Sequence, residues 1–326
     1  MFGKSYVTRI IDHSTNTSTD RRRFLRSAGI GGLGVLGATA LPAAATGTAA
    51  AETTESGAPS DGAVLNFALN LEYLEAQFYS YAVHGRGLPE SLTKGTGDPG
   101  PVHGGRAVRF GSKKVRQYAQ EIASDERQHV EFLRTALGSA AVGQPEIDLQ
   151  DSFTAAAQAA GLVKPGNTFD PYANEENFLL AAFLFEDVGV TAYKGAAPLI
   201  QNKTYLEAAA GILAAEAYHA ANIRTALFEK EPGLLGTGLL GRDLKEATVK
   251  LSDARDSLDG TSDVDQGIVN GDGDANIVPT DKFGVTYSRS AGQVLNVVYL
   301  TNQQATSGGF FPRGVNGEIN TSENNA

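Results

Sequence analysis

Apolar residues recur every three or four positions in several long stretches of this chain, and that spacing predicts helices. The first runs from Ala63 to about Val83, with Phe67, Leu71, Leu74, Phe78 and Ala82 on one face and Asp61 as the expected cap. A Gly/Pro-rich connection, Gly85 to about Gly111, follows and is too long and irregular for a simple bundle turn. The second helix is expected from about Ser112 to Leu137, carrying Val115, Tyr118, Ile122, Val130, Phe132 and Leu133 and stopping at Gly138. A crossover spans residues 139–174 and contains a short Ala-rich helix near Ser152–Ala160. The third and fourth helices are predicted over about Asn174–Gln201 and Tyr205–Phe228, with a tight turn at Asn202–Lys203. Two helical hairpins joined by one long crossover describe an all-α four-helix bundle.

Beyond Glu231-Pro232-Gly233 the pattern changes to a loop-rich C-terminal extension with one or two helices, read as residues 231–326 and expected to pack on a bundle of residues 60–230. A polar helix is expected near Asp243–Ser257 and an amphipathic one near Ser288–Leu300, bearing Val294, Leu295, Val297 and Val298. Between them the acidic run Asp263–Asp274 lacks the order of an EF-hand and is read as a solvated loop. The aromatic tail Phe310-Phe311 is a candidate for docking on a second copy, so a homo-oligomer is a possible assembly.

Two of the five histidines stand three residues after a glutamate, in Glu126–His129 and Glu216–His219. With 37 acidic residues in 326, such a placement is roughly a one-in-ten event for any one histidine. Taken singly, each pair reads as a surface contact across one helical turn. Two of them, both inside predicted core helices, point to metal, because residues three apart on a helix share a face about 4.5 Å apart along the axis. A duplicated hairpin is also visible. Glu72 is followed seven residues on by Tyr79, and Glu186 seven residues on by Tyr193, each helix preceding one that bears Glu-x-x-His.

Glu72, Glu126, His129, Glu186, Glu216 and His219 therefore form a candidate set for two iron or two manganese ions, with Glu126 and Glu216 placed to bridge. Four carboxylates against two divalent cations leave a neutral site, which makes burial among Leu, Phe and Ala tolerable. Glu75 lies one turn from Glu72 on the face of Leu71, Phe78 and Ala82; the repeat favours Glu72, and both are candidates. Tyr79 and Tyr193 are candidates for hydrogen bonding to a ligand or for electron supply, or are core tyrosines with a polar tip. Glu121, Asp125 and Glu131 read as a solvated face, Tyr218 as packing, and His84 and His103 as surface residues.

The absence of cysteine excludes disulfides, iron–sulfur clusters and thiolate zinc sites, so any metal is held by oxygen and imidazole, which suits iron or manganese. A net charge of −10 argues against nucleic acid and anionic membrane surfaces as partners. The N-terminal run Asp20-Arg21-Arg22-Arg23-Phe24-Leu25-Arg26 resembles a twin-arginine export signal, with Asp20 where Ser or Thr is usual. The apolar run after it, about Ala28 to Leu41, is too short and Gly-rich for a stable membrane span, and small residues near Pro42–Ala51 suit cleavage. Residues 1–51 are thus expected to be a targeting segment and the product periplasmic, extracellular or bound at the cell surface.

The stretches Leu65–Ala76, Asp125–Val130 and Phe185–Tyr193, together with Gly308–Gly317, are similar to the ferritin-like family that includes desiccation-related proteins. The resemblance covers roughly residues 60–318. It implies a ferritin-like bundle with the potential for a di-metal site, and all six ligand positions are intact. Two functions compete. One is an oxidoreductase acting on O₂ or peroxide, of peroxidase, catalase or ferroxidase type. The other is a structural or desiccation-protective protein in which metal serves only stability. Cage-type storage is disfavoured by the long loops and the extension.

Overall fold

The computed structural model describes residues 58–230 and 243–326. The expectation that residues 1–51 are a targeting segment therefore falls outside the described residues.

Among the described residues, eight α-helices follow one another. Helix α1 is Asp61–His84, α2 Glu90–Thr93, α3 Lys113–Leu137, α4 Asp151–Ala159, α5 Glu175–Ala196, α6 Lys203–Glu229, α7 Leu244–Asp259 and α8 Ala291–Tyr299. Their starts follow capping chemistry. Ser60, Ser112, Asn174, Asn202, Asp243 and Ser290 each present a side-chain oxygen to a backbone N–H of the first turn, and Ser290 with Gln293 forms a full capping box. Asp61 is not the cap expected for α1. Ser60 takes that role, and the Asp61 carboxylate accepts instead from the backbone N–H groups of Gln201 and Asn202 at 2.8 and 2.9 Å, fastening α1 to the α5–α6 turn. The third helix is shorter than its pattern, with a 3₁₀ turn, Ala197–Leu199, completing it.

Helices α1 and α5 are buried along nearly their whole length, whereas α3 and α6 keep an exposed polar face. The two hairpins, α1 with α3 and α5 with α6, pack together through α1 against α5 and α3 against α6. In the connections, β1 (Val102–His103) pairs in parallel with β2 (Ile147–Asp148), Val102 opposite Ile147. Phe78 centres an aromatic core, its ring 5.0–5.6 Å from those of Tyr79, Phe153, Tyr172, Phe178 and Phe185.

The C-terminal extension completes that core. Phe310 stacks edge-on against Phe153 and Phe185 at 4.9 and 5.0 Å, and both Phe310 and Phe311 are fully buried. The aromatic pair expected to dock on a second copy is thus used within its own chain. Asn70 in α1 and Asn316 near the chain end exchange two hydrogen bonds: the Asn70 amide donates to the Asn316 carbonyl at 2.8 Å and its Oδ1 accepts from the Asn316 N–H at 2.9 Å.

Helices α7 and α8 also rest on α5, and a buried charge network joins α5, α6 and α7 to the segment before α8. Asp187 accepts from Arg224 at 2.8 Å and Arg255 at 3.0 Å; Asp265 pairs with Arg255 at 2.7 Å and with Arg289; Asp259 accepts from Arg289 at 2.6 Å. Three cations meet three anions, so burial leaves no net charge. Asp265 corrects the reading of the acidic run as a wholly solvated loop. Composition alone does not reveal that one of its aspartates turns inward to two arginines. Among the described residues, no helix is long and apolar enough to cross a membrane.

Candidate metal centre

The four long helices carry their acidic and imidazole side chains into one buried cluster. Two groups of ligand atoms converge within 4.8 Å of one another: Glu72, Glu126, His129 and Glu216, and Glu126, Glu186, Glu216 and His219. Glu126 and Glu216 belong to both. Each group combines carboxylate oxygens with one imidazole nitrogen, a donor set suited to a hard or borderline divalent cation.

The imidazoles face inward through Nδ1. His129 Nδ1 lies 3.2 Å from Glu72, 3.5 Å from Glu216 and 3.6 Å from Glu126, and His219 Nδ1 lies 3.1 Å from Glu126 and 3.6 Å from Glu186. Several of these buried atoms nevertheless lack an aligned hydrogen bond: both carboxylate oxygens of Glu126 and of Glu216, Oε2 of Glu186 and Nδ1 of His219. Buried polar atoms are rarely left so. Orphaned oxygens and nitrogens aimed at shared points are the arrangement a pair of cations satisfies, and on that ground the residues fit.

Electrostatics supports the same reading. Burial raises the Glu72 carboxyl to about 7 against the opposing pull of His129, and burial likewise raises Glu186 against His219. Glu75 and Glu216 are pushed well above the usual range by burial and by the other carboxylates. Burial works in the same sense on Glu126, but the two imidazoles overcome it and hold Glu126 low. Conversely, burial opposes charge on His129 and His219, and their acidic partners override it, so both are raised. Without cations the cluster therefore stores protons.

The two tyrosines cross over between the hairpins. Tyr79 on α1 donates its hydroxyl to Glu186 on α5, and Tyr193 on α5 donates to Glu72 on α1. Burial, then the carboxylate each one faces, pushes both phenols well above their usual range, so they stay protonated donors.

Glu75 is buried beside the cluster but belongs to neither ligand group, and its Oε2 has no hydrogen-bond partner. The residue at the equivalent place in α5 is Gly189. A Cβ there would lie 2.6 Å from Glu216 Oε2 and 3.4 Å from Glu75 Oε1. The glycine is thus the space into which Glu75 and Glu216 fit. Its signal was present in the sequence as a glycine in the interior of an apolar helix, unfavourable by about 1 kcal/mol against alanine.

Asp125 was also missed. It is half-buried and accepts from Nε2 of His219 at 3.2 Å, where a carboxylate orients the imidazole and fixes its tautomer. Standing one residue before Glu126, it points off that helix's inner face and reads as solvated, yet it meets the neighbouring helix. Glu121 is exposed and Glu131 pairs with Arg127 at 3.1 Å, both as expected. His84 and His103 are exposed, but Tyr218 is 74 % exposed rather than packed, because it lies on the outer face of α6.

A sequence profile of the ferritin-like domain matches residues 60–229. The chain belongs to the ferritin-like family. It is 30% identical over 272 residues to the desiccation-related protein PCC13-62 of Craterostigma plantagineum, covering 79% of this chain and 84% of that one. It is 27% identical over 268 residues to the ferritin-like catalase Nec2 of Nesocodon mauritianus, covering 78% and 83%. No solved structure is a significant match.

Proposed function

We infer that this ferritin-like protein holds two iron or two manganese ions on Glu72, Glu126, His129, Glu186, Glu216 and His219 and disproportionates hydrogen peroxide. The observation that carries the reading is the pair of ligand groups sharing Glu126 and Glu216. Two peroxide molecules give two waters and one dioxygen, so the reaction balances without an external reductant. That suits a cluster whose six residues are each at most 9 % exposed, since an organic electron donor has no room to approach. A relative of similar length named a catalase supports the same reaction class.

When bound, a redox-active pair supplies electron exchange and Lewis acidity. The chain's own residues do the rest. Glu126 and Glu216 span the centre, and Glu72 with His129 and Glu186 with His219 close its two ends. Tyr79 and Tyr193 keep Glu186 and Glu72 oriented through their hydroxyls, and Asp125 holds His219. Glu75, with one oxygen unpartnered beside the centre, is placed to hold or accept a proton from peroxide. The resemblance of Arg21–Arg26 to a twin-arginine signal further supports export, with peroxide protection outside the cytoplasm as the role.

Elemental analysis of protein from its native export pathway tests the reading, together with oxygen evolution from peroxide and a Glu126→Ala/His129→Ala variant. About two Fe or Mn per chain, lost with oxygen evolution in the variant, is the expected result. Folded protein without metal or turnover would favour the second reading, a desiccation-protective scaffold, which the PCC13-62 likeness supports.

A further inference from the structure

Between α1, α5 and α8 lies a cavity of about 20 Å³, bounded by Leu74, Val188, Val298 and Phe310 and reaching Glu75 and Gly189. Every other side chain around it is also apolar, so Glu75 is its one polar group. A larger cavity, about 40 Å³, lies elsewhere, by Asp187, Gln266 and Tyr287, and touches no residue of the carboxylate cluster. The smaller one does reach the cluster. Gly189, which has no side chain, separates it from Glu216, whose Oε2 lies 2.6 Å from where a Cβ at 189 would be.

Size and polarity decide what fits. The space exceeds the roughly 10–15 Å³ that one water needs, but a buried water also needs two to four polar partners, and the walls offer one carboxyl group. Hydrogen peroxide, with two donors and two acceptors, is served no better. A neutral apolar molecule of two atoms loses nothing there.

We propose that this cavity is the dioxygen passage of the cluster, leading from Glu75 and Gly189 outward beneath α8. What passes rests on the reading of the preceding subsection, in which dioxygen is the product; that the cavity admits it does not. The C-terminal extension then has a part in the reaction, since Val298 and Phe310 form the outer wall while the cluster's six residues all lie in the bundle. Gly189 keeps the inner end open.

The test uses dioxygen itself as a paramagnetic probe of the metal-free, full-length folded chain. Under oxygen pressure, methyl protons of Leu74, Val188 and Val298 should relax faster than those of Ile122 and Leu133, which are buried to the same degree away from the cavity. Val298→Ile should remove that excess and Val298→Ala should increase it. With metal loaded to the same content, Val298→Ile should also lower oxygen evolution from peroxide by about tenfold, the lower range for one methylene in a closely fitting pocket. No excess relaxation at the cavity methyls would overturn the proposal. So would excess relaxation combined with turnover that neither variant alters. Loss of metal or of all turnover in the unsubstituted protein would instead sink the catalytic reading and leave the relaxation result standing by itself.

Discussion

Tyr193 on α5 donates its hydroxyl to Glu72 on α1, a bond between residues 121 apart in sequence that ties one hairpin to a carboxylate of the other. Tyr79 returns the tie to Glu186. Replacing either tyrosine with phenylalanine removes the bond and leaves the ring's packing in place. Partners of this kind commonly change metal affinity by 10–100-fold, so Tyr193→Phe and Tyr79→Phe should each weaken binding by about tenfold or more. Metal titration monitored by elemental analysis checks this; unchanged affinity in both would make the tyrosines core residues only.

Stability should respond to pH in opposite senses with and without metal. Glu72 is raised to about 7 from 4.5, and Glu75, Glu186, Glu216, His129 and His219 are raised as well. Between pH 5 and 7 the metal-free folded state therefore binds more protons than the unfolded chain, so its stability falls as pH rises, by about 2 kcal/mol from Glu72 alone. Metal binding requires those protons to leave, so the loaded protein gains stability over the same range. Thermal unfolding at pH 5, 6 and 7 with and without metal reads the two slopes. Parallel slopes would contradict it.

Gly189→Ala should separate folding from metal binding. Alanine favours the helix by about 1 kcal/mol, while its methyl would stand 2.6 Å from Glu216 Oε2 and displace that carboxylate. The variant is expected to fold with undiminished metal-free stability and to retain one metal or none. Full occupancy would show that Glu216 has room to move.

Asp187→Ala should destabilise the fold by about 3–5 kcal/mol, because Arg224 and Arg255 would both lose a buried partner. Denaturant unfolding measures the loss. A change below about 1 kcal/mol, the scale of an exposed pair, would mean that solvent or other acceptors replace the carboxylate.

The sequence was most legible where chemistry and periodicity coincide. Glu72 and Glu186 stand in helices buried on nearly every side, where a carboxylate without a partner is costly, and that tension exposes them. The repeated step from glutamate to tyrosine was equally visible, although the crossing of Tyr79 to Glu186 and Tyr193 to Glu72 depends on how the hairpins face. Asp125 was hidden because its partner lies on another helix. Asp265 was hidden because an acidic run is ordinarily solvated, and only the fold brings Arg255 and Arg289 to it. Phe310 and Phe311 look like exposed docking groups until Phe153 and Phe185 are seen beneath them.

The paired hydrogen bonds between Asn70 and Asn316 join positions 246 residues apart. The first helix of the bundle is therefore completed by a segment made some 246 residues after it. Contacts of such range are slow to form, and their closure cannot precede synthesis of Asn316. A chain cut before Phe310 would present α1 without its cover, with Asn70 lacking its clamp and the aromatic core open. The packing of α1 thus waits on residues made long after it, and the Asn70–Asn316 clamp is a late, non-local closure of the fold.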